Sequence, residues 1–116
     1  MKRAIKFRAW DNRIGAATSG MTYDAETHPN WSDFISYPLY YTVMEFSGLA
    51  DKNGALIYEG DILKCSFRRD NFYVEVRFHQ GCFLFGNRAP LEFLQYNEVE
   101  IVGNIYNNPE LMKEYL

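Results

Sequence analysis

The chain has 116 residues, enough for one domain with a true core, and 17% of them are aromatic, including nine Phe and nine Tyr, a content that favours strands and buried contacts over disorder. Twelve Lys and Arg against fifteen Asp and Glu leave a formal charge of −3. No global positive field draws such a chain to nucleic acid or anionic lipid, so any binding of that kind needs a local patch.

Alternation in Lys2 to Trp10 predicts a half-buried first strand, with Ile5, Phe7 and Ala9 on one face and Lys6, Arg8 and Trp10 on the other. The basic opening lacks the apolar run of a secretory signal and no later stretch is long enough to span a membrane, so a cytoplasmic protein is expected. Residues Arg13 to Pro38, punctuated by Gly15, Gly20, Pro29 and Pro38, read as a long excursion with a short strand near Met21 and a helical turn from Asn30 to Phe34. Leu39 to Phe46 forms the next strand, ended by Ser47 and Gly48.

Asn53-Gly54 is a strong turn dipeptide, because both residues tolerate positive φ, and it predicts a tight corner before the short strand Leu56 to Tyr58. Glu59-Gly60-Asp61 then turns into Ile62 to Phe67, with Leu63, Cys65 and Phe67 sharing one face. The alternation of Phe72 to Phe78 is clean: Phe72, Val74, Val76 and Phe78 inward, Tyr73, Glu75 and Arg77 outward. Short strands follow at Cys82 to Phe85, Leu91 to Leu94 and Glu98 to Gly103, and Asn108-Pro109-Glu110 starts a short carboxy-terminal helix that docks Leu111, Met112 and Tyr115. Short strands at this spacing indicate a mainly β protein, a small antiparallel barrel or sandwich in one domain spanning residues 1–116.

Three blocks carry a family resemblance: Lys6-Phe7-Arg8-Ala9-Trp10-Asp11, the segment Gly48 to Ile62, and Val102 to Leu111, read Val-Gly-Asn-Ile-Tyr-Asn-Asn-Pro-Glu-Leu. In order and spacing they resemble the YopX family of bacteriophage and prophage proteins. The resemblance implies a phage or prophage origin and a mainly β domain similar to SH3-like barrels; the long amino-terminal excursion Arg13 to Pro38 has little that matches the family. It implies no activity, because the family has no settled biochemical role, and no catalytic residue is carried over. Asn107 departs from the family pattern, standing where a carboxylate is common.

Chemistry-bearing residues are sparse. His28, His79, Cys65 and Cys82 form no close pair of the kind zinc sites use. Cys82 and His79 are separated by a turn and lack an orienting third group, and both cysteines read as buried free thiols. Asp11, Asp51, Glu59 and Asp61 adjoin turns, where carboxylates bond backbone amides. No cofactor, metal or enzyme activity is expected. The candidate nucleic-acid face is Lys64, Arg68, Arg69, Tyr73 and Arg77, outward on two adjacent strands and interrupted by Glu75. The candidate protein-binding anchors, if exposed, are Trp10, Trp31, Tyr40 and Tyr41. The favoured expectation is a non-enzymatic module that binds a host or phage protein or its own copies, with nucleic acid second and no membrane.

Overall fold

The computed structural model describes residues 4–13 and 20–112, with only the backbone of Phe67 and Tyr96. The expected strand residues Lys2 and Arg3, residues 14–19 of the excursion, and the docking of Tyr115 lie outside the described residues.

Among the described residues, eight strands form two antiparallel four-stranded sheets. The first has the order β2-β1-β3-β4, built from β1 (Phe7–Asp11), β2 (Met21–Tyr23), β3 (Tyr41–Ala50) and β4 (Leu56–Tyr58). The second has the order β7-β6-β5-β8, built from β5 (Asp61–Phe67), β6 (Asp70–His79), β7 (Cys82–Phe85) and β8 (Glu98–Asn104). The mainly β, antiparallel expectation holds, with the strands shared between two sheets.

The first strand is not half-buried as the alternation suggested, because Arg8, Ala9 and Trp10 are all buried. Both of its faces are covered. Ala9 packs with Phe34 of the helix α1 (Trp31–Ser36) and with Ala25 of a short 3-10 turn, joined by Phe7, Trp31, Tyr41 and Val43. Arg8 and Trp10 instead face the second sheet, and Ile5, placed on the same face as the buried Ala9 by alternation, is exposed.

Three further expectations need correction. β3 does not stop at Ser47 and Gly48; it absorbs them in a bulge, where four residue steps from Phe46 to Ala50 face two from Tyr58 to Leu56. Gly48 supplies the positive φ of 89° that this irregularity requires. The segment around Leu91 is the helix α2 (Pro90–Tyr96), not a strand. Pro90 suits a first helical turn, and spacing from it puts Phe93 and Leu94 on the core side while Leu91 stays 69% exposed. Finally, Phe78 is exposed where alternation placed it inward, since it lies beside the closing turn of the β6–β7 hairpin and packs edge-on against Phe83.

The second sheet holds the larger core: Leu63, Cys65, Val76, Phe85 and Val99, with Phe93 from α2 and Ile57 from β4. Ile57 ties the first sheet to this core, so the two sheets bury apolar surface against each other as well as separately. The carboxy-terminal helix begins at Pro109 as expected, as a 3-10 turn over Pro109–Met112 with Met112 buried.

Candidate functional site

The junction between the sheets is the most polar buried region described. Arg8 of β1 is 1% exposed, and its Nη1 donates to Asp61 Oδ1 of β5 at 2.8 Å and to the Tyr23 hydroxyl at 3.3 Å. Its Nη2 donates to the Glu59 carbonyl at 2.9 Å, and the guanidinium lies 5.0 Å from the Tyr58 ring centre and 5.8 Å from that of Tyr23. Asp61 completes its bonding by accepting the Tyr58 N–H on Oδ2 at 2.8 Å. Burial nonetheless pushes the Asp61 carboxyl above its ordinary value, against the pull of Arg8 and of the Tyr58 amide.

Geometry at the junction depends on Gly60. At φ 89° it takes a conformation that side chains rarely adopt, and an added Cβ would sit 3.1 Å from Met44 Sδ and 3.5 Å from an Arg8 nitrogen. Its carbonyl accepts the Ile105 N–H, and Trp10 stacks on Tyr106 with ring centres 5.4 Å apart. Asn104 shapes that corner by accepting the N–H groups of Tyr106 and Asn107. The blocks around Arg8, Gly60 and Asn104, far apart in sequence, therefore meet at one place.

Asp51 ties the β3–β4 corner to β8. Its Oδ1 accepts the Asn53 and Ala55 N–H groups, and its Oδ2 accepts the Ile101 N–H at 3.0 Å. Burial alone pushes this carboxyl up, but the backbone donors, led by Ile101, outweigh it and hold the group below its ordinary value. The turn role expected of Asp51 is seen, whereas Asp61 does more than shape a turn.

Of the candidate nucleic-acid face, the sheet brings Lys64 opposite Tyr73 across β5 and β6. Acids share this side: Glu100 lies opposite Lys64 on β8, and Glu75 follows on β6. Arg77 donates to the Gly86 carbonyl and to Asn87 Oδ1, fastening the loop after β7. Arg68 and Arg69 occupy the exposed β5–β6 turn, Arg68 at φ 58°.

The candidate anchors separate sharply. Trp10 is 4% exposed and closes the junction, so it presents no surface; its bulk is taken up by Tyr106. Trp31 packs on Phe7, and Tyr41 meets Phe34 edge-on and receives a hydrogen bond from Arg13. Tyr40 is exposed, its ring 4.9 Å from the Arg13 guanidinium. It continues an exposed apolar run that the candidate set missed: Ile35, Tyr37 and Leu39, at 56%, 51% and 88%. Their only sequence signal was apolar residues around a proline, Pro38, that ends α1 and keeps them from returning to the core.

Cys65 is buried and unpaired, its thiol pushed up to about 12 by burial. Cys82 is exposed rather than buried, because it opens β7 beside the hairpin turn, opposite His79.

The sequence model of a family described as YopX protein matches residues 6–113, a span holding all three motif blocks. The chain belongs to the YopX family. Protein EF1440 from Enterococcus faecalis, known from a crystal structure, is 23% identical, with 97% of this chain and 100% of that one covered and a TM-score of 0.62. Protein YopX from Bacillus subtilis is 20% identical, with 93% and 98% covered and a TM-score of 0.61. Both likenesses concern the fold. Comparison with curated proteins gives no match. No helix among the described residues is long and apolar enough to cross a membrane.

Proposed function

We propose that this YopX-family protein is a non-enzymatic phage or prophage accessory protein that works in the host cytoplasm by binding another protein, from host or phage, or its own copies. The observation that carries the reading is the corner where α1 runs into β3. Ile35, Tyr37, Leu39 and Tyr40 are exposed within six residues, a density of apolar side chains that free surfaces rarely keep without use. Tyr and Leu in such a cluster are suited to seating in a partner's pockets, and tyrosine adds a hydroxyl for orientation. The carboxylates at the sheet junction support the non-enzymatic part, since Asp51 and Asp61 spend their oxygens on backbone amides and Arg8.

Affinity capture from the phage-bearing host, comparing the wild-type chain with Leu39→Ser, tests the proposal. A protein recovered with the first and lost with the second supports it, as does a concentration-dependent dimer that the substitution abolishes. Recovery of no protein, with a monomer at every concentration, rejects it.

Nucleic acid is the second reading, favoured by the Lys64–Tyr73 pair on one strand face. It is weakened by Glu100 beside that pair and by the use of Arg77 to hold a loop. Salt-sensitive binding of single-stranded DNA or RNA that falls when Arg69 and Arg77 are changed to Glu would favour this reading over the first.

A further inference from the structure

Each sheet has two outer edges, and three of these are closed, wholly or in part, from within the chain. The Tyr58 N–H of β4 goes to Asp61, and Phe85 of β7 exchanges main-chain hydrogen bonds with Arg88. Along β8 the Val99 carbonyl accepts the Lys52 N–H, while Asp51 takes the Ile101 N–H. The edge of β2 differs.

Pairing in the first sheet fixes which groups β2 turns outward. The Asp11 N–H donates to the Gly20 carbonyl, so alternation makes Ala9 and Thr22 the next hydrogen-bonded pair of β1 and β2. The far side of β1 agrees: the Lys6 carbonyl accepts the Phe46 N–H and the Asn12 N–H donates to the Tyr40 carbonyl, which leaves residues 7, 9 and 11 to face β2. Thr22 therefore spends its peptide groups on β1, and the N–H and carbonyl groups of Met21 and Tyr23 point away from the sheet. Among the described residues these groups meet no hydrogen-bond partner. Met21 and Thr22 are half-buried and Tyr23 is exposed, so solvent reaches this edge. Met-Thr-Tyr carries no charge, proline or bulge of the kind that shields edge strands; brevity is its safeguard, since Asp24 at φ 52° bends the chain away.

The pattern is complementary to itself. With a two-fold axis through Thr22, Met21 of one copy stands opposite Tyr23 of the other, and each such pair exchanges both main-chain hydrogen bonds. Thr22 then faces its own counterpart in the close, non-hydrogen-bonded position, where threonine hydroxyls can bond one another. The Tyr23 ring, 55% exposed, gains the thioether of the neighbouring Met21 on the same sheet face. No like charges meet within the three residues.

We infer that two copies of this protein join antiparallel along β2, merging their first sheets into one. The inference rests on the self-association arm of the protein-binding reading but uses a different surface from the Ile35–Tyr40 corner. A ladder of three residues buries less than the roughly 1,200 Å² of a stable interface, so the dimer is weak and reversible.

The test is sedimentation equilibrium of the full chain at concentrations up to about 1 mM, where a dimer with Kd of about 0.1–1 mM is expected. Thr22→Lys and Thr22→Glu set like charges across the axis, and each should weaken the dimer about threefold to tenfold; an equimolar mixture of the two should associate at least as tightly as wild type. Met21→Pro deletes an outward N–H and no bond to β1, and should also weaken the dimer while melting close to wild type. In the unsubstituted chain, hydrogen exchange of the Met21 and Tyr23 amides should slow as concentration rises, a readout independent of any variant. Leu39→Ser should leave this association unchanged, so failure of the corner and failure of the edge are read separately. A monomer throughout, a dimer abolished by Leu39→Ser, or a mixture of the Thr22 variants no tighter than either alone overturns the inference.

Discussion

The sheet junction and the α1–β3 corner are opposites in the use of their side chains. At the junction Arg8 reaches Tyr23, Glu59 and Asp61, and the stacked Trp10 and Tyr106 fill the space beside it. At the corner Ile35, Tyr37 and Leu39 stand in solvent. Charged and aromatic residues in a recurring motif invite a catalytic reading, yet here they are consumed in holding one sheet to the other. The exposed apolar residues of the corner lie outside the three family blocks. Substitutions should therefore divide cleanly, those at the junction costing stability and those at the corner costing association.

The largest effect is expected at the ion pair. Asp61→Ala leaves the Arg8 guanidinium buried without its charge partner and frees the Tyr58 N–H, which should lower unfolding free energy by about 3–5 kcal/mol in denaturant titration. Arg8→Met should cost a similar amount alone, and the double variant less than the sum of the two, because it leaves no isolated buried charge. Strict additivity would show that the two residues act separately and that the junction is not the unit described above.

Next comes Asp51→Ala, which strands the Asn53, Ala55 and Ile101 amides and is expected to cost about 2–4 kcal/mol. The pH dependence gives it a signature. The folded carboxyl titrates below its ordinary value of 3.8, so its contribution is complete above the unfolded value and disappears as pH falls through the folded one. Wild type and Asp51→Asn should thus differ at neutral pH and converge below about pH 4. A constant difference across that window would remove the charge from the explanation.

A smaller loss is expected from Gly103→Ala. The added methyl would overlap Asn108 Oδ1, with Asn108 Cγ at 2.7 Å and Cβ at 3.0 Å, so the side chain cannot simply swing its tip aside. Overpacking of this kind costs about 1–3 kcal/mol, and Asn108→Ala in the same chain should recover part of it if the clash is the cause. Thermal melts of Gly103→Ala, of Asn108→Ala and of the two combined distinguish steric overlap from a general intolerance of β8.

How much of this could be read from the residues follows from the range of each signal. Phe72, Val74 and Val76 were legible because a two-residue period is local, and Asn53-Gly54 because turn chemistry is local. Alternation in the first strand predicts one buried face, yet Arg8 and Trp10 on one side and Ala9 on the other are all buried. The partner of Arg8, Asp61, lies 53 residues away, and no local pattern encodes such a pairing. The helix α2 was hidden by its brevity, since Leu91 and Phe93 fit a strand period as well as Pro90, Phe93 and Leu94 fit a helical one. The corner was silent for a different reason: exposure of Leu39 is decided by where Pro38 releases the chain from α1.

That corner provides the smallest stability effect and the most telling one. Leu39 is 88% exposed, so Leu39→Ser removes little buried surface and should shift unfolding free energy by no more than about 0.5 kcal/mol. Tyr40→Ala should cost slightly more, because Arg13 loses the ring it covers. If the corner is a binding surface, both variants fold and melt like wild type while losing the captured partner, a separation of stability from association that no junction variant should reproduce. If instead Leu39→Ser destabilises the chain by more than about 1 kcal/mol, the run from Ile35 to Tyr40 is part of the core assembly, and the contrast between the two regions fails where it matters most for function.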